Sequence, residues 1–309
     1  MVATSVPTSF LQALALAFGL AWGSFATVCI SRIPDGRSVV TPGSRCDGCG
    51  RPIAAWRNIP VLGWMALRGR AACCGARISP RVPIVEALGG GLALLSFRPA
   101  VEAGLTGSSL LLAGVSFAAA LTALVLTFID LDQLYLPDGG VLLLAALGLA
   151  SLPLRGEGLL DALVGGAVGF GVVYVPLIWL YERLRGHPGM GLGDAKLLAA
   201  IGLWVGWSMA LAILVLAAVQ GTLVALCTYV VAGRIAEPEG VVRQRAELEM
   251  LAAAGDRDAL AALREDPLAE PPGEGLGAAR LAFGPFLGLA FLEWLFLEDL
   301  LTSWLSGLR

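Results

Sequence analysis

Two aspartates stand where an apolar run meets a loop. Asp130 closes the run in LTFIDLDQLYLPD, and Asp194 opens the third run after it in GMGLGDAKLLAAIGLWVG. An ionisable side chain at the edge of a hydrocarbon core is costly and is a functional candidate for that reason. Two carboxylates held close cannot both ionise comfortably, so they share a proton. One then acts as base on a water and the other as acid on a leaving amine, which is the chemistry of an aspartic protease. Gly189, Gly191 and Gly193 precede Asp194. They are expected to supply positive φ and close backbone approach, leaving room for an extended peptide. The plainer reading makes both aspartates loop-boundary residues that are solvated or cap helices. Asp132 and Asp138 are read that way, Asp138 as a cap after Pro137, and Lys196 as a snorkelling interfacial charge.

A second constellation is made of cysteines. Of the six, Cys29 and Cys227 fall in apolar runs and read as small packing residues. Cys46, Cys49, Cys73 and Cys74 cluster in one polar segment. Cys46 and Cys49 form a C-x-x-C turn, half of a tetrahedral zinc site. On the cytoplasmic side, a reducing compartment, a metal is favoured over a disulfide.

These residues must be held by membrane helices. Hydrophobic residues make up 57% of the 309 and charged residues 15%, with a mean hydropathy of +0.79. Such a composition excludes a disordered chain, a collagen-like chain and an ordinary cytosolic enzyme. The net charge of -3 carries no nucleic-acid signal. Apolar runs at 9–31, 82–97, 108–129, 139–154, 159–181, 195–207, 209–232 and 281–306 predict eight transmembrane helices. The run 195–232 is divided at Gly206. The first run has no basic stretch before it, so it reads as a retained helix rather than a cleaved signal. With the N-terminus outside, all but three of the 21 Lys and Arg fall on the cytoplasmic side. The same orientation puts Asp130 and Asp194 on one face.

The expected organisation is therefore a first helix over 1–31, a cytoplasmic Cys-containing domain over 32–81 and a membrane core of helices over 82–232. A charged cytoplasmic insert over 233–280 and a last helix over 281–309 follow. Within the insert, 241–265 reads as amphipathic helix broken at Gly255, and 266–277 as a flexible linker. The insert itself reads as a solvated appendage, or else as a docking surface for an assembly partner.

Taken in order, GSFATVCISRIP at 23–34, the Cys segment 44–86, FIDLDQLYLPD, GMGLGDAKLLAAIGLWVG and FGPFLGLA at 283–290 resemble the type IV prepilin peptidases. These are bacterial inner-membrane enzymes of the GxGD aspartic kind. The resemblance implies that Asp130 and Asp194 are the catalytic pair. It implies cleavage of the leader of type IV prepilins or pseudopilins at the cytoplasmic face, then N-methylation of the new terminus from S-adenosylmethionine. It also implies a second C-x-x-C, but Ala71 stands where the earlier cysteine would be, so Cys73 must join Cys74 if zinc is bound. The segment 233–280 is longer than the family's usual link. Two other readings compete. A presenilin-like intramembrane protease shares GxGD, but its Pro-Ala-Leu motif is absent here and it leaves the Cys domain unexplained. An ion-coupled transporter would place its carboxylates at mid-bilayer rather than at helix ends.

Overall fold

The computed structural model describes residues 6–187, 189–265 and 280–306. Those residues are helical apart from connecting turns and two isolated β-bridges, Arg45 with Pro52 and Arg70 with Arg77. Helix α1 spans Thr8–Arg32, the short α2 Leu62–Ala66, α3 Arg81–Glu102, α4 Gly107–Gln133 and α5 Asp138–Arg155. Then come α6, Leu159–Val173, a π-helical stretch Tyr174–Leu180 and α7, Tyr181–Arg185. The last four are α8, Leu192–Ala232, α9, Glu239–Ala253, α10, Arg257–Glu265, and α11, Gly284–Ser306.

Six helical runs among the described residues are long and apolar enough to cross a membrane: α1, α3, α4, α5, the run Leu159–Arg185 and α8. At 41 residues, α8 is about twice the length one crossing takes. Gly206 breaks it with φ 73° and ψ 174°, a conformation open to glycine because it has no Cβ. Counting α8 as two crossings and adding α11 makes the eight that the apolar runs predict. The expected helix at 82–97 is longer in the structure, running to Glu102 past Pro99. The π-helical turn contains Pro176, whose missing N–H interrupts the ordinary ladder.

The chain divides into two compact units. One comprises residues up to Val125, Leu142–Ala162 and Leu292 onward. In it, α1 and α3 approach backbone to backbone at Gly19, Gly23, Gly89 and Gly90, the close packing that small residues allow in lipid. Phe18 links Phe97 and Phe117, with ring centroids 6.0 and 5.3 Å away.

The other unit comprises Leu126–Val141 and Leu163–Phe291. Gly165 of α6 meets Gly202 of α8, and the fully buried rings of Trp204 and Phe291 pack edge to face at 5.9 Å. Segment 233–280 forms the two helices expected, with the break at Gly255, φ 93°. It is not wholly solvated. Val241 is buried, Gly240 abuts the Asp132 carbonyl, and Glu237 accepts from Arg245 at 2.9 Å and Arg280 at 3.2 Å. The flexible-linker reading of 266–277 lies outside the described residues.

Candidate active site

Asp130 sits in the last turn of α4 and is 5% exposed. The backbone N–H of Gly284, the first residue of α11, faces its carboxylate. No hydrogen bond of ordinary geometry reaches its buried Oδ2 among the described residues. Asp194 is half-buried in the first turn of α8. Its own N–H donates to the Gly191 carbonyl at 3.2 Å, while its carboxylate accepts from the Gly191 N–H. Gly191 is the N-cap, so Asp194 reaches back as the third residue of a capping box does. The capping reading of Asp194 thus holds, and it does not exhaust the residue's surroundings: the Asp130 and Asp194 carboxylates are near enough to repel one another.

Leu136 is the apolar wedge of this site. A Cβ added at Gly193 would lie 3.2 Å from Leu136 Cβ, and one added at Gly284 3.3 Å from Leu136 Cδ1. The two carboxylates, Leu136, Gly193 and Gly284 therefore occupy one neighbourhood at the ends of three helices. The glycines before Asp194 serve close approach rather than positive φ. Gly191 has φ -72°, and neither Gly189 nor Gly193 is left-handed. Gly189 donates to the Leu177 carbonyl at 2.9 Å, where a Cβ would meet that oxygen and the Tyr181 ring at 3.0 Å.

Two neighbouring charges differ from expectation. Lys196 does not simply snorkel: its Nζ lies 2.7 Å from Asp138 Oδ1. Asp138 is the first residue of α5 rather than the residue before it, and its carboxylate takes the lysine. Both side chains are substantially exposed, which makes this a weak surface pair. Gly284 and Leu136 are the members of the neighbourhood that the residue types did not single out. For Gly284 a signal existed in the Gly284-Pro285 step at the start of the last apolar run, a helix start with little side chain in front of it.

The four clustered cysteines lie in the first unit and form a second candidate site. Two turns of the same construction hold them. Cys46 N–H donates to Arg51 and Gly50 N–H to Cys46, at 2.9 and 2.8 Å; Ala71 N–H donates to Ala76 and Gly75 N–H to Ala71, at 2.8 and 2.7 Å. Gly50 and Gly75 close them with φ 71° and 72°. By this correspondence Cys74 matches Cys49, and Ala71 stands opposite Cys46. Cys73 makes up the difference, for all four Sγ atoms lie within 4.8 Å of one another. Cys46 to Cys74 is 3.6 Å, Cys49 to Cys73 3.3 Å and Cys73 to Cys74 4.0 Å.

Tetrahedral zinc with bonds of about 2.3 Å needs sulfurs roughly 3.8 Å apart, so these residues fit that ion. Hydrogen bonds from the Cys73 thiol and the Gly48 and Cys49 amides hold the Cys46 thiol down to about 7. Cys73, bonded to Cys49 and Cys46, is pushed up to about 12. Of Trp56, Ile59 and Trp64 in the same segment, it is Trp64 that packs inward. It donates to the Ile78 carbonyl at 3.1 Å and packs on Gly69. Trp56 and Ile59 are 67% and 48% exposed. Cys29 packs inside as expected, whereas Cys227 faces outward from its helix.

Comparison with known proteins finds two matching regions in the chain. Residues 17–99 match the Bacterial Peptidase A24 N-terminal domain and residues 117–226 the Type IV leader peptidase family. A Pseudomonas putida protein named prepilin leader peptidase/N-methyltransferase is 36% identical over 246 residues, 71% of this chain and 81% of its own length. One of the same name from Burkholderia pseudomallei is 34% identical, covering 72% of this chain and 78% of its own length. One from Klebsiella pneumoniae is 39% identical, covering 61% and 82%. No solved structure matches the chain.

Proposed function

The chain belongs to the type IV leader peptidase family, and on that premise we propose that it removes the leader of a type IV prepilin or pseudopilin and N-methylates the residue left at the new terminus. The observation that carries the first reaction is the meeting of Asp130 and Asp194, from the last turn of one membrane helix and the first turn of another. We assign the catalytic dyad to them. Held together in a poorly solvated place, the pair keeps one proton between them. The ionised member takes a proton from a water, the water attacks the scissile carbonyl, and the protonated member delivers its proton to the departing amine. The Oδ2 of Asp130 is buried and accepts no hydrogen bond of ordinary geometry among the described residues, so its lone pairs are uncommitted until water and substrate enter. The Gly284 N–H orients the same carboxylate.

The substrate is an apolar helix in the same bilayer with a short leader outside it, so a site at helix ends meets the junction. The distribution of Lys and Arg supports an inner-membrane protein with its N-terminus outside and this site cytoplasmic. S-adenosylmethionine supplies the methyl group when bound; no residue is assigned to it. Cys46, Cys49, Cys73 and Cys74 would hold a structural zinc that ties the two turns together, and no reaction step runs through it.

Purified protein in detergent is mixed with a prepilin and S-adenosylmethionine. The expected products are the free leader and a mature pilin heavier by one methyl group. Asp130→Asn and Asp194→Asn should each leave the prepilin intact while the protein stays in the membrane. Cleavage by either variant at the parent rate would remove that residue from the dyad.

A further inference from the structure

The segment from Trp56 to Met65 presents apolar side chains that nothing covers among the described residues. Trp56, Ile59, Leu62 and Met65 are 67%, 48%, 63% and 61% exposed. The backbone beneath them is held in an unusual way. Val61 adopts φ 60° and ψ -52°, which a β-branched residue avoids. Around it the Leu62 N–H donates to the Pro60 carbonyl at 2.6 Å, closing a three-residue turn. Such a conformation persists only where its surroundings over-determine it.

Here the determinant is Glu86, which is 5% exposed and whose Oε2 accepts the Val61 N–H at 2.6 Å. Glu86 belongs to α3 and lies five residues past its start at Arg81, about 7–8 Å along the helix axis. The backbone of Glu86 also packs on Gly23, well before the end of α1. The turn is therefore latched to α3 below its end, through a residue that itself packs on α1, at the depth amphipathic segments reach in the headgroup layer. The Cys-containing segment around it supplies the matching charge. Residues 32–81 hold nine Arg and two Asp, and the Arg57 guanidinium stacks over Trp56 at 4.4 Å.

We propose that Trp56–Met65 is an interfacial anchor: it lies in the headgroup layer of an anionic bilayer, with its apolar side chains toward the acyl chains and Arg57 and the flanking arginines of 32–81 at lipid phosphates, and Glu86 sets its depth through Val61. The partner is the anionic phospholipid surface. The anchor does not depend on the proteolytic reading, and its test does not use cleavage.

The full chain is reconstituted in nanodiscs of phosphatidylglycerol carrying bromine near the top of the acyl chains. The difference in emission between the parent protein and Trp56→Phe isolates Trp56. That difference should be strongly quenched by the brominated lipid and little affected by aqueous acrylamide. Leu62→Trp in the Trp56→Phe background gives a second reporter on the same surface and should behave alike. Glu86→Ala, which removes the latch, should weaken quenching of both reporters. Reporters untouched by bromine and fully open to acrylamide would overturn the anchor. Equal quenching in brominated phosphatidylcholine, insensitive to salt, would overturn its preference for anionic lipid.

Discussion

Gly284→Ala tests whether the start of α11 sets the position of Asp130. A methyl carbon there would sit 2.7 Å from Asp130 Oδ2 and 3.2 Å from its Cγ. A relaxed carbon–oxygen contact is about 3.3 Å or longer, so the carboxylate or the helix must retreat by roughly 0.6 Å. Leu136 Cδ1, 3.3 Å from the same methyl position, narrows the room on that side. Overpacking of this kind costs about 1–3 kcal/mol of stability, and a catalytic group misplaced by about 1 Å can lose about 10²-fold in rate. A loss of about tenfold to a hundredfold in the rate of leader removal is therefore expected. It should be read by single-turnover cleavage of saturating prepilin in detergent, alongside thermal unfolding of the same preparation. Gly193→Ala is the control. Its methyl would press only on the aliphatic Leu136, at 3.2 Å, and should cost less than about tenfold, because an aliphatic side chain can shift. The positioning argument fails if Gly284→Ala cuts at the parent rate, or if Gly193→Ala loses more than Gly284→Ala.

Asp132→Asn should retain much more peptidase activity than Asp130→Asn, since Asp132 is not the residue facing Asp194; equal losses in the cleavage assay would mean the wrong aspartate was chosen. The purified protein should contain about one zinc per chain by elemental analysis, and Cys46→Ser should release it. Ala71→Cys places a thiol where the second turn repeats the first, so it should slow zinc transfer to a competing chelator; faster transfer would mean that Cys73 is already the better ligand. Changes within 44–81 should lower methyl transfer from labelled S-adenosylmethionine at least as much as cleavage, and methylation surviving loss of that module would place the methyl-donor site elsewhere.

The helices were legible because lipid leaves them few alternatives: an apolar run that long must satisfy its own backbone. The same holds for the division at Gly206, where a run twice the needed length contains a residue tolerant of positive φ. Asp130 and Asp194 stood out because their cost is local and visible in the residue types. What pairs them was less visible. Leu136 looks like one more leucine in a loop, and Gly284 like one more glycine, until contacts across distant stretches of chain are known. The fourth sulfur was half legible: the Ala71 gap showed in the spacing, but only the matched turns at 46–51 and 71–76 show Ala71 opposite Cys46 and bring Cys73 into the cluster. The exposure of Trp56 and Ile59 was not legible for a physical reason. Aromatic and aliphatic residues near a small metal site suggest a core, yet beside a bilayer they can equally face lipid.

The ion cluster of Glu237, Arg245 and Arg280 joins the two ends of segment 233–280 at a single point. Once the ends of a loop are pinned, the entropy of closing it rises only slowly with length, by about 0.6 kcal/mol per doubling. The middle of this segment is thus nearly free to lengthen, shorten or be exchanged for another folded module. Its first turn is not, because Gly240 rests on the carbonyl of Asp132, two residues from Asp130. A fluorescent or affinity module spliced between α9 and α10 should leave the protein working, whereas the same splice at Gly240 would strain the helix end that carries Asp130.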